Sequence, residues 1–188
     1  MKNCLLIDCY DSFSYKLAQT VRQTGLCDVD VMTYDDVEPL VFRLYDAIVI
    51  SPGPGLPYEY PRLFRMLSEL KRKPVLGVCL GHQVMAVYCG GRLVHLPEVV
   101  HGQKKALLVC NDDVLFKGVS TNTEVGLYHS WVIESVPSQI HITAKTDEGF
   151  IMTYRHEAYP WTGMQFHPES YMTKDGMKML SNWIKSVL

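Results

Sequence analysis

Apolar positions along this chain follow two rhythms. In the first half, short apolar runs alternate with stretches of helical spacing. Leu5-Leu6-Ile7, Ala47-Ile48-Val49-Ile50 and Pro74 to Val78 are nearly unbroken runs, and Val29 to Tyr34 reads as a further strand. Runs of this kind are the pattern of strands buried on both faces. Between them, Phe13, Leu17 and Val21 stand at i, i+4 and i+8, with Asp11-Ser12 placed to cap the helix and Gly25 placed to end it. Pro61 suits the first turn of a second helix that carries Leu63, Met66, Leu67 and Leu70. A third helix is expected from about Leu80 to Tyr88, stopped by Gly90-Gly91.

The second half changes character. Ala106 to Cys110, Glu124 to Ile133, Ile140 to Lys145, Phe150 to Tyr154 and Gly163 to Phe166 are strand-like and joined by polar turns, which suggests antiparallel pairing. A last helix, about Lys174 to Val187, is expected to bury Met177, Leu180, Ile184 and Val187. Together these elements predict an α/β fold. It has three layers, a mostly parallel central sheet with helices on both faces, and antiparallel strands added by the second half. No linker divides the pattern, so residues 1–188 are expected to form a single domain.

Composition narrows the function classes. The formal net charge is -2, which gives a general affinity for nucleic acid or an anionic membrane no electrostatic support. The first apolar run stops at Asp8, too short for a signal peptide or a membrane span, so a cytoplasmic location is the expectation. Six cysteines, at 4, 9, 27, 79, 89 and 110, form no C-x-x-C pair and no metal-ligand spacing. In a reducing compartment they are expected to be free thiols. Cys4, Cys89 and Cys110 lie inside apolar elements and read as small buried hydrophobes, as do Cys9 and Cys27 less strongly.

Cys79 reads differently. Gly77-Val78-Cys79-Leu80-Gly81 is a G-x-C-x-G at an expected strand-to-helix junction, the thiol form of a nucleophile elbow. Glycines on either side let the backbone turn sharply, and unpaired N–H groups at the helix start favour thiolate over thiol. The N–H of Leu80 can face a developing oxyanion. Of seven histidines, His167 stands out in Gln165-Phe166-His167-Pro168-Glu169-Ser170. It ends a strand, a proline fixes the chain after it, and Glu169 is placed to accept from one ring nitrogen while the other faces the thiol. His82, in the helix after Cys79, reads as a structural residue. Pro52-Gly53-Pro54-Gly55 directly follows a strand, where a stiff loop can aim a backbone N–H at the same oxyanion.

Taken in order, these motifs resemble the class I (triad-type) glutamine amidotransferases. Within them the chain resembles the small glutaminase subunits of anthranilate synthase and aminodeoxychorismate synthase. The anchors are Asp8 to Tyr15, Ser51 to Gly55, Gly77 to Gln83, Tyr128-His129-Ser130-Trp131 and Gln165 to Ser170, spread over essentially the whole chain. The resemblance implies a flavodoxin-like core and hydrolysis of L-glutamine, with ammonia passed to a chorismate-binding synthase subunit for tryptophan or folate synthesis. It implies Cys79, His167 and Glu169 as the catalytic triad, and the N–H groups of Gly53 and Leu80 as the oxyanion hole. Gly53, Gly55, Gln83, Ser130 and Trp131 would hold the substrate. No metal or organic cofactor is implied. The chain departs from the family pattern at Cys9, Ser14, Lys16, Gln103 and Leu127, where Asn, Thr, Asn, Lys and a basic residue are usual. Two other readings are a cysteine hydrolase of a different substrate on the same fold and a non-catalytic regulatory subunit.

Overall fold

The structure, a computed structural model, describes residues 2–188. Its centre is an eight-stranded sheet built from β1 (Asn3–Asp8), β2 (Asp28–Thr33), β3 (Ala47–Ile50), β4 (Val75–Val78), β6 (Leu108–Val109), β8 (Ile140–Lys145), β9 (Ile151–His156) and β10 (Trp161–Met164). The order across the sheet is β2-β1-β3-β4-β10-β9-β8-β6. Every neighbour from β2 to β10 is parallel, and β10-β9, β9-β8 and β8-β6 are antiparallel. The helices are α1 (Ser14–Gln23), α2 (Pro61–Glu69), α3 (Leu80–Tyr88) and α4 (Gly176–Val187).

Alternating side chains of the parallel strands feed two cores. Leu6, Val49 and Val78 pack with Leu17 and Val21 of α1 and Leu180 and Trp183 of α4. Leu5, Ile7, Ile48 and Ile50 pack on the other face with Leu63 and Leu67 of α2 and Val84 and Met85 of α3. Burial on both faces is why these strands read as apolar runs rather than as an alternation.

Several elements differ from the sequence-based expectation. The longest strand, β5 (Arg92–Ala106), was not expected; it pairs antiparallel with β7 (Glu124–Ser135) as a separate two-stranded ribbon. Its ladder slips between His95 and Val100, around Pro97, and most of its residues are exposed, so neither periodicity nor composition marks it. The stretch from Ala106 to Cys110 is the end of β5 and the two-residue edge strand β6. β10 covers Trp161–Met164 rather than Gly163–Phe166, which leaves Gln165 and Phe166 to carry the chain off the sheet.

Helix α4 buries Met179, Leu180, Trp183 and Ile184, while Met177, expected inside, is 43% exposed. Gly176 sets this rotation. It lies so close to Pro168 that a Cβ there would come within 1.9 Å of the Pro168 carbonyl oxygen. With Gly176 facing inward, the positions at i+3, i+4, i+7 and i+8 are the four that are buried. Asp11 does not cap α1 directly. Its Oδ1 accepts from the Phe13 N–H at 2.8 Å, and the Ser14 hydroxyl donates to Asp8 Oδ1 at 2.6 Å.

The tightest approach between sheet and helix is at α3. A Cβ on Gly81 would lie 2.5 Å from the Ile50 carbonyl oxygen, and one on Gly77 would lie 2.5 Å from the Gly81 carbonyl carbon. Both obstacles are backbone, which cannot swing aside. The Gly81→Ala variant is therefore expected to lose about 2 kcal/mol or more of stability, seen as a lower urea midpoint with an unchanged slope.

Candidate active site

Cys79 occupies the junction between β4 and α3 with φ 51° and ψ -101°, a left-handed conformation that few side-chain-bearing residues adopt. Its N–H donates to the Met164 carbonyl at 2.8 Å, extending the β4–β10 ladder by one bond. Its carbonyl accepts from the Gln83 N–H at 3.1 Å, the first bond of α3. One residue thus ends a strand and starts a helix, and its side chain is thrust off the sheet edge.

Cys79 lines a cleft of about 370 Å³. Gly53, Gly55, Leu80, Gln83, Ser130 and Trp131 line it with Cys79, so every residue expected to hold substrate or an oxyanion is gathered there. The Gly53 loop has no room for a side chain: a Cβ would lie 2.4 Å from Leu80 Cδ2 and 2.9 Å from the Cys9 carbonyl oxygen. Tyr60 holds the loop from beneath, its hydroxyl donating to the Pro54 carbonyl at 2.9 Å and toward the Cys9 carbonyl at 3.3 Å. Ser51 ties the two strand ends together. Its Oγ accepts from the Cys9 N–H at 2.9 Å and donates to the Pro52 carbonyl at 2.6 Å.

His167 and Glu169 do not line the cleft. They are buried, at 2% and 4% exposure. His167 Nδ1 bonds to Glu169 Oε1 at 2.7 Å. Its Nε2 has no partner that meets hydrogen-bond geometry, yet the Cys79 thiol lies near enough to act on the ring. Burial by itself would push the imidazolium down. The nearby Cys79 side chain and the Glu169 carboxylate bonded to Nδ1 outweigh that, raising the ring to about 10. Both neighbours thus favour the protonated ring. Phe13 and Tyr128 hold it edge-on at centroid distances of 5.1 and 4.9 Å. Its backbone is stapled as well. The His167 N–H donates to the Gly126 carbonyl at 3.1 Å, and the Thr173 hydroxyl donates to the His167 carbonyl at 2.7 Å.

The structure brings further residues to the site that the sequence did not single out. His95, Val99 and His101 reach it from β5, whose strand was not legible. Tyr128 and His129 line the cleft too, although their place beside Ser130-Trp131 in the chain assigns them no role. Gln165, fully buried, donates through Nε2 to the Cys79 sulfur at 3.7 Å. Among the remaining cysteines, Cys4, Cys9 and Cys27 are buried, but Cys89 is only half-buried and Cys110 is exposed, since it follows the edge strand β6, whose own residues are exposed. A larger open depression, about 870 Å³, runs along β6 past Val114 and Phe116; it shares no residue with the Cys79 cleft and holds no thiol or imidazole.

Comparison with known proteins gives a consistent result. The family model for class I glutamine amidotransferases matches residues 5–187. A Haemophilus influenzae protein provisionally named anthranilate synthase component II is 42% identical over 96% of this chain and 94% of its own length. A Porphyra purpurea protein named anthranilate synthase component 2 is 38% identical over 97% of this chain and 98% of its own. The Streptomyces griseus protein named aminodeoxychorismate synthase is 40% identical over 95% of this chain, which spans only 25% of that longer protein. Among solved structures, a Thermoplasma acidophilum protein provisionally described as one subunit of a GMP synthase superposes with a TM-score of 0.88, covering 98% of this chain and 93% of that one; at 22% identity it speaks to the fold alone.

His82 and His129 flank this machinery as buried, neutral rings with no hydrogen-bond partner on either nitrogen. Burial first, then the neighbouring histidine, lowers His82 to about 3 and His129 to about 4. Each must be uncharged in the folded state but can protonate near 6.5 once unfolded. The unfolded chain then binds more protons, so stability is full above 6.5 and falls as the pH drops toward 4. Between pH 7 and 5 each ring is expected to withdraw about 2 kcal/mol. Urea titrations across that range will show the drop, and His82→Gln will show a shallower one.

Proposed function

The chain belongs to the class I glutamine amidotransferases, and from that membership we propose that it is the glutaminase subunit of a chorismate-using synthase. In this reading residues 1–188 form one amidotransferase domain that hydrolyses L-glutamine and hands the ammonia to a partner synthase. The observation that carries it is a cleft lined by Cys79, whose side chain acts on the ring of His167 while that ring is bonded through Nδ1 to Glu169.

The chemistry follows from those positions. Cys79 attacks the side-chain amide carbon of glutamine as a thiolate, and the amide oxygen takes up negative charge. The N–H groups of Gly53 and Leu80 face that oxygen and stabilise it. Gly53 serves because its backbone is pressed against Leu80 and Cys9, where a side chain would not fit. The imidazolium of His167 gives its proton to the departing nitrogen, the C–N bond breaks, and ammonia leaves a glutamyl thioester on the sulfur. His167, now neutral, takes a proton from water as the water attacks the thioester. Glutamate leaves, and the sulfur and ring return to their starting charges. Glu169 holds Nδ1 so that Nε2 points at the sulfur throughout. Gln83, Ser130, Trp131 and the Gly53–Gly55 loop hold the amino-acid end of the substrate at the cleft's polar wall.

Relatives with both synthase names align over nearly the whole chain, so the aromatic product is set by which chorismate-binding partner docks. The cytoplasm is the compartment this reading assigns, in keeping with six unpaired cysteines. No helix among the described residues is long and apolar enough to cross a membrane.

Cys79→Ala is expected to abolish glutamine-dependent synthesis by the complex while leaving synthesis from added ammonium intact. A mutant that still used glutamine would remove the nucleophile from this scheme. Co-purification of the synthase, followed by identification of its product, decides between the tryptophan and folate branches. The free subunit is expected to turn over glutamine more slowly than the complex; equal rates would show that docking does not align the site.

A further inference from the structure

We propose that Gln165 is a catalytic hydrogen-bond donor to the Cys79 sulfur, aimed by a relay that starts at the strand expected to hold the substrate. The inference rests on Cys79 being the nucleophile.

The relay has one consistent orientation. The Trp131 carbonyl can only accept, so Gln83 must turn its amide nitrogen toward it, and Nε2 donates there at 2.8 Å. The second hydrogen of the same nitrogen is aimed at Gln165 Oε1 at 3.1 Å. Gln165 must therefore present its oxygen to Gln83, which leaves its own Nε2 facing Cys79 Sγ at 3.7 Å. Flipping the Gln165 amide would set two NH2 groups against each other in a fully buried site. The backbone is equally constrained. The Gln165 N–H donates to the Met152 carbonyl at 2.8 Å, just beyond the end of β10.

This donor differs from His167 in what it can do. An amide does not titrate in the working range, so it stabilises negative charge on sulfur without ever taking the proton. The titratable groups around the sulfur are His167 with Glu169 bonded to it, and, lining the same cleft, His95 and His101 of β5 and Tyr128 and His129 of β7. Gln165 thus lets the imidazole keep its proton for the leaving nitrogen. The relay also links the thiol to the Ser130-Trp131 segment: a shift of the Trp131 carbonyl reaches the sulfur through two side chains.

The test is the pH dependence of Cys79 alkylation by iodoacetamide in the full chain, read at the Cys79 peptide by mass spectrometry. Glutamine hydrolysis is measured in parallel. Gln165→Leu removes the donor without adding charge. Its alkylation midpoint should rise by about one pH unit and its kcat should fall roughly tenfold, with KM changed less than about threefold. Gln165→Glu keeps an oxygen for Gln83 but sets a carboxylate against the sulfur, so its midpoint should rise further. This near-isosteric variant also carries the test should the leucine variant fail to fold. Variants that melt cooperatively yet alkylate with the wild-type profile would overturn the proposal, even if they were less stable. If glutamine does not protect wild-type Cys79 from alkylation, the nucleophile assignment itself falls, which is a separate result from an unchanged profile.

Discussion

Three neighbouring parallel strands, β3, β4 and β10, end at the same edge of the sheet, and the candidate site is what stands at their ends. β3 delivers the Gly53 loop, β4 delivers Cys79, and β10 runs through Gln165 into His167. Residues distant in sequence meet because the ladder between β4 and β10 holds their backbones in register, with the Cys79 N–H bonded to Met164. Parallel neighbours point their carboxyl ends the same way, so one sheet edge collects chemistry from three segments without any loop having to reach far.

That geometry demands close packing around Cys79. Its strained backbone persists because α3 is seated directly on β3 and β4, with Gly77 and Gly81 nearly touching backbone. The same tightness recurs at the other side of the site. Gly176 lies against Pro168, Gly126 lies against Ser170 and Met172, and the His-Pro-Glu turn is gripped between β7 and α4. A buried ring that favours its proton needs a paired anion, and Glu169 supplies it here at 2.7 Å. Two further buried histidines nearby are held neutral by the same burial, since neither has an anion beside it.

Much of this was legible from the chain because the informative signals were local. The elbow glycines, the proline after His167 and the apolar runs of β1, β3 and β4 each act within a few residues of themselves. What escaped depended on distant partners. β5 owes its strand to pairing with β7, and Pro97 with the slipped ladder around it hides the alternation. Met177 satisfies a helical pattern as well as Met179 does, and only the contact of Gly176 with Pro168 decides between them. Gln165 looked like one more polar residue at a strand end; its partner amide lies on α3 and its other contact is the sulfur. The departures at Ser14 and Leu127 are likewise absorbed, Ser14 by a bond to Asp8 and Leu127 by burial in the core.

The insertion of β10 beside β4 has a temporal consequence. During synthesis on the ribosome, Cys79 emerges well before the chain that becomes β9, β10 and the His-Pro-Glu turn. Until those arrive, β4 has no neighbour on one side, and the thiol stands beside an unfinished sheet edge with no imidazole near it. Non-local pairing of this sort is slow to form. Sheet completion and the meeting of thiol with imidazole are thus one event, because the strand that closes β4 is the strand that leads into His167.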